Sequence, residues 1–122
     1  MATSGSKENP IVLELLNSKD KIDALEWLNG AEKGVHRNIG EMTNADSVRF
    51  VKRLYSLGAP EVFAVKIGVN GKYESTDTLI LKLPAEKAAR KAIFDSEAKR
   101  LEEMGYEQAE DIGQSYKLVW FD

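Results

Sequence analysis

Residues 61–83 read EVFAVKIGVNGKYESTDTLILKL, two apolar alternations on either side of an Asn70-Gly71 pair. That pattern predicts a β-hairpin. In the first arm Phe63, Val65, Ile67 and Val69 alternate with Ala64 and Lys66. In the second, Leu79, Leu81 and Leu83 alternate with Thr78, Ile80 and Lys82. The register decides how such a sheet is used. A two-residue Asn-Gly loop pairs Val69 with Lys72 and Phe63 with Thr78, and so sends the two apolar sets to opposite faces. Pairing Phe63 with Leu81 gathers all seven apolar residues on one face, and requires an odd loop or a bulge. We expect this second register, with the irregularity within residues 70–76.

The flanking segments predict helices. Thr43 and Asp46 have capping-box spacing, with aspartate in place of the usual glutamate or glutamine. A helix follows through Leu57, stopped by Gly58 and barred from continuing by Pro60. Its apolar half is Val48, Phe50, Val51, Leu54, Tyr55 and Leu57, and its polar half Arg49, Lys52, Arg53 and Ser56. After Pro84 a long helix is expected over residues 85–104, ended by Gly105, with Tyr106 packing back on the last turn. The last strand, QSYKLVWFD, sets Tyr116, Leu118 and Trp120 on one face and Val119 and Phe121 on the other. Apolar residues on both faces imply cover on both sides, for which the N-terminal helices are the candidates.

Before this core, Asn9-Pro10 marks a helix start over residues 10–16, with a strand over Ile11–Leu16 as the rival reading. Ser18 is expected to cap a second helix carrying Ile22, Leu25 and Leu28, ended by Asn29-Gly30. Residues 35–42 then form either a short strand or a linker. The element order resembles the ferredoxin-like βαββαβ layout if they supply its first strand. The expected class is α+β: an antiparallel sheet of three to four strands, two helices on one face, ferredoxin-like or a variant, and an N-terminal helical extension over residues 9–34. Residues 1–8 are expected to be a disordered tail, and residues 9–122 one domain with its sheet-helix core over 35–122. The resemblance is architectural and implies no activity.

Composition narrows the function classes. The 122 residues include no cysteine, which removes disulfides and thiolate metal sites and fits a cytoplasmic setting. No membrane segment or secretory leader is expected. The net charge of −3 is unevenly spread. It is −2 over residues 1–34, +4 over 35–100 and −5 over 101–122.

Four groups of residues are candidates for function. His36, the sole histidine, could act as a base or ligand, and Arg37 beside it could hold an anion; the plainer reading is an exposed loop or edge-strand pair. Glu97 falls among Ile93, Leu101 and Met104 on the long helix, where burial without a partner would raise its pKa and make it a functional acid; alternatively it lies at the border of that face and pairs with Arg100 or with Lys and Arg side chains elsewhere. Arg49, Lys52 and Arg53, with Lys87, Arg90 and Lys91, would form a phosphate-binding surface if both helices share one side of the sheet. The acidic end, Glu102, Glu103, Glu107, Glu110 and Asp111, could meet a basic protein partner or bind a hard cation weakly. No nucleotide-binding, hydrolase or calcium-loop motif is present, and no catalytic residue, metal or cofactor is assigned. The expected function is non-enzymatic binding of a macromolecule, a protein before a nucleic acid, with a homodimer as one way to cover the last strand. An enzyme built around Glu97 or His36 is the remaining alternative.

Overall fold

The computed structural model describes residues 8–107 and 110–121. The expected tail over residues 1–7 lies outside them. Glu8 belongs to the folded part: it is half-buried, and its carboxylate accepts from the backbone N–H groups of Ser115, at 2.8 Å, and Tyr116, at 3.1 Å.

The elements are α1 (Pro10–Leu16), β1 (Ile22–Asp23), α2 (Ala24–Asn29), β2 (His36–Ile39), α3 (Asn44–Ser56), β3 (Glu61–Val65), β4 (Gly68–Asn70), β5 (Tyr73–Thr76), β6 (Thr78–Lys82), α4 (Lys87–Glu103) and β7 (Tyr116–Trp120). They make an α+β fold with two sheets. One is four-stranded and antiparallel, in the order β1-β3-β6-β7. The other has the order β2-β5-β4, with β2 parallel to β5 and β4 antiparallel to it.

The hairpin over residues 61–83 is present, but in neither of the two registers weighed above: Phe63 pairs with Ile80, not with Thr78 or Leu81. Asn70 pairs with Tyr73 across a two-residue Gly71-Lys72 loop, where Gly71 takes φ +63°. The same register runs through both sheets to Glu61 opposite Lys82. Val62 and Ala64 therefore share a face with Leu79 and Leu81, while Phe63 and Val65 share the other with Ile80. Both faces of the four-stranded sheet are covered, so Phe63, Val65 and Ile80 are used as well as Leu79 and Leu81; Val69, beyond the break, is 68% exposed. On one side α2, α3 and α4 join the sheet in a buried cluster that includes Trp27, Val51, Leu54, Ile93, Phe94 and Val119. On the other, Val12 of α1 closes over Val65 and Ile80, with Leu15, Leu16, Tyr116 and Leu118 around them. Full burial of each such aliphatic side chain contributes about 1.5–3 kcal/mol.

The irregularity lies at Lys66–Ile67 opposite Thr76–Asp77, where the long hairpin breaks into two sheets. Lys66 is the one described non-glycine residue with positive φ, at 54°. The Thr76 hydroxyl stands in for ladder bonds here. It donates to the Val65 carbonyl and accepts from the Thr78 N–H at 3.0 Å.

Residues 36–39 do form a strand, but it pairs with Tyr73–Thr76 in the second sheet rather than joining β3, β6 and β7. This departs from a ferredoxin-like layout. The bend explains it: β5 turns away from β6, and β2 adds to β5 where β7 adds to β6. Two side chains pin β2 to α3. The Ser47 hydroxyl accepts from the Ile39 N–H at 2.8 Å and donates to the Thr43 carbonyl, while the Asn44 amide donates to the Arg37 carbonyl at 2.8 Å.

Several local expectations are met. Asn9 caps α1, Thr43 caps α3, and Gly58 at φ +116° follows the α3 C-cap. A Cβ at Gly58 would lie 2.9 Å from Ala89 Cβ, so this glycine also lets α3 and α4 approach. Others are corrected. Asp23, not Ser18, caps α2, accepting from the Glu26 N–H at 2.9 Å. Ile22 is thereby freed for β1, opposite Ala64. The long helix begins at Lys87, two residues later than expected.

Candidate binding groove

A groove of about 620 Å³ runs beside β7, between α1 and the C-terminal part of α4. Apolar side chains from Val12, Leu101, Ile112, Leu118 and Trp120 line it, together with Glu8, Glu97, Arg100, Glu107, Glu110 and Lys117. β7 is the last strand of its sheet, and among the described residues no strand pairs with its outer side.

The ladder fixes which backbone groups face the groove. Leu83 N–H donates to the Ser115 carbonyl and Phe121 N–H to the Asp77 carbonyl, so residues 117 and 119 bond inward to β6. Tyr116, Leu118 and Trp120 consequently turn their N–H and C=O groups outward. Side chains engage the two ends of this row. Glu8 accepts from Tyr116 N–H, and Arg100 Nη2 donates to the Trp120 carbonyl at 2.9 Å. Leu118 lies between them.

Arg100 holds the buried end of the groove together. Its Nε and Nη2 donate to the two oxygens of Glu97, at 3.0 and 2.8 Å, and its guanidinium lies 4.5 Å from the Phe121 ring centroid. Glu97 is 1% exposed. It is therefore buried rather than at the border of its face, but paired with Arg100 rather than unpaired.

Lys117 points inward from the edge strand, in phase with Val119, and is 5% exposed. Its Nζ lies 5.1 Å from the Phe94 ring centroid. Burial lowers its pKa from the ordinary lysine value; the Glu97 carboxylate opposes that shift and Arg100 adds to it. An inward-pointing charge on an edge strand also disfavours uncontrolled sheet-to-sheet pairing.

The other candidate residues lie elsewhere. His36 is exposed and stacks on Tyr73, with centroids 4.8 Å apart at 16°. Arg37 takes the opposite face of β2. It donates to the Trp27 carbonyl at 2.8 Å and to Glu74 at 3.1 Å, clamping the second sheet to α2. Both line a different hollow, of about 540 Å³, from the one that holds Glu97.

The basic residues of α3 and α4 belong to helices that share one core cluster, yet half of them carry acidic partners. Arg49 pairs with Asp46, Lys91 with Asp95 at 2.6 Å, and Arg90 with Asp111 at 2.5 Å. Lys52, Arg53 and Lys87 are exposed. The Arg90 bond and the Gly113 N–H hold the Asp111 pKa below its ordinary value, and the ion pair ties the 110–115 segment to α4.

Sequence reasoning did not single out Lys117, Glu8 or Trp120 as site residues. For Lys117 a signal existed, since its phase with Val119 already placed it on a buried face. Among the described residues no group of three or more acids or histidines is arranged to hold a metal ion, and no helix is long and apolar enough to cross a membrane. No family model, no curated protein and no solved structure matches this chain.

Proposed function

We propose that this chain is a non-enzymatic binding domain that takes an extended segment of another polypeptide along the outer side of β7. One observation carries the reading: the outward backbone of Leu118 borders an apolar groove at a sheet edge that no strand of the described residues covers. Strand addition gains affinity from main-chain hydrogen bonds and specificity from side-chain pockets; the outward Leu118 backbone and the apolar groove beside it support this mode. The cysteine-free composition suits a cytosolic setting for this role.

The enzyme alternative is less well supported. Glu97 is buried and held in a two-point ion pair by Arg100, and His36 lines a separate hollow. Nucleic-acid binding through α3 and α4 loses strength from the acidic partners of Arg49, Arg90 and Lys91.

The test is selection from a displayed library of random linear peptides, followed by binding to two variants. Leu118→Pro removes an outward N–H at an edge position that proline tolerates. Trp120→Ala removes an apolar wall. Selected peptides should bind the parent protein and lose affinity for both variants, with circular dichroism unchanged. Peptides that bind all three equally would place recognition elsewhere and end the proposal.

A further inference from the structure

The groove has a definite sign of charge. Its walls carry four carboxylates, Glu8, Glu97, Glu107 and Glu110, against two cations, Arg100 and Lys117, a formal balance of −2. The charges are also sorted by depth. Arg100 and Glu97 satisfy each other at the buried end, and Lys117 is buried beside them. Glu107 and Glu110 are exposed at the rim. An arriving ligand therefore meets carboxylates first and apolar surface second.

Aromatic surface accompanies the acids. Tyr116 and Trp120 line the groove, and Tyr106 packs edge-on against Trp120 with centroids 4.8 Å apart. Aromatic faces beside carboxylates suit an alkylammonium or guanidinium group, which gains from the ring and from the anion together. Ile112, 53% exposed at the same groove, offers an apolar contact next to them.

We infer that the occupant of the groove is a basic extended peptide, in which lysine or arginine side chains meet Glu107 and Glu110 while apolar side chains between them settle on Leu118, Trp120 and Ile112. This rests on the peptide-binding reading above and adds the chemistry of the partner. A second copy of the chain does not fit, because edge-to-edge pairing of two β7 strands would set acidic rim against acidic rim. A small polycation would satisfy the rim but leave the apolar floor and the Leu118 backbone without partners.

The experiment uses the full chain and two blocked octapeptides, one alternating lysine with leucine and the other glutamate with leucine. Binding is measured by calorimetry at low and at moderate salt, alongside spermine as a polycation without apolar side chains. The lysine peptide is expected to bind at least about tenfold more tightly than the glutamate peptide, and to weaken as salt rises. The exposed double variant Glu107→Lys, Glu110→Lys should reverse the preference. Equal binding of both peptides, or an unchanged preference in the double variant, would overturn the basic-partner inference and leave peptide binding standing. Spermine binding as tightly as the lysine peptide would overturn it in favour of a polycation site. If neither peptide binds while display selection yields groove binders, the inference falls alone; if selection also fails, both fall.

Discussion

Replacing Glu97 by leucine removes one partner of a nearly water-free ion pair and leaves the other in place. Arg100 would lose two hydrogen bonds, keeping its bond to the Trp120 carbonyl and its contact with the Phe121 ring. Stranding one member of a buried pair costs about 3–5 kcal/mol. The Arg100 side chain is 18% exposed and keeps a carbonyl acceptor, which places the expected loss near the lower end, about 3 kcal/mol. Replacing both residues, Glu97→Leu with Arg100→Met, removes the uncompensated charge. The losses particular to the double variant are the unmade bond to the Trp120 carbonyl, about 1 kcal/mol, and the Phe121 ring contact, while the loss of the Glu97 charge near Lys117 is common to both variants. The double variant should thus be more stable than the Glu97→Leu single variant by about 1–2 kcal/mol. Urea unfolding followed by tryptophan fluorescence and far-UV circular dichroism measures this, provided the denaturant slopes agree among variants. A Glu97→Leu loss below about 1 kcal/mol, or a double variant no better than the single, would refute the claim that this pair organises the groove.

Two further predictions concern other parts of the fold. Lys66→Gly should stabilise the protein by about 1 kcal/mol in the same unfolding assay, because Lys66 holds a left-handed conformation that glycine adopts without steric cost. Lys117→Met should change how stability depends on pH. The folded pKa of Lys117 lies below the ordinary lysine value, so the unfolded chain binds more protons between the two, and the parent gains stability as pH rises through that interval. Stability curves of parent and variant should therefore converge toward pH about 10.5 if the variant is the more stable at neutral pH, and parallel curves would contradict the shift.

Local features of the fold are legible in the sequence. Thr43 as a cap, Gly58 and Gly105 as stops, and the two faces of residues 116–121 all follow from short-range chemistry that neighbours suffice to express. The register of residues 61–82 went the other way for a physical reason. Favouring one face for all seven apolar residues assumes a sheet covered on one side, and Val12 of α1 covers the second. Nothing in residues 61–83 encodes that distant cover. The bend at Lys66 had no signal either, since a lysine at positive φ is held there by its surroundings. Residues 36–39 were legible as an uncertain strand but not as a parallel partner of Tyr73–Thr76, a pairing set by the bend. The burial of Glu97 could be read from its helix angle. The groove could not, because Glu8 lies almost ninety residues before Glu97, and it reaches Glu97, Glu107 and Lys117 only after α1 and α4 have packed on opposite faces of the sheet.

Strand addition at β7 is tested most directly by amide hydrogen exchange, residue by residue, with and without the lysine–leucine octapeptide. An added strand should protect the outward-facing Leu118 amide and leave Lys117 and Val119, already bonded to β6, unchanged. Protection confined to residues 68–76 of the second sheet, or none along β7 with the peptide bound, would contradict it.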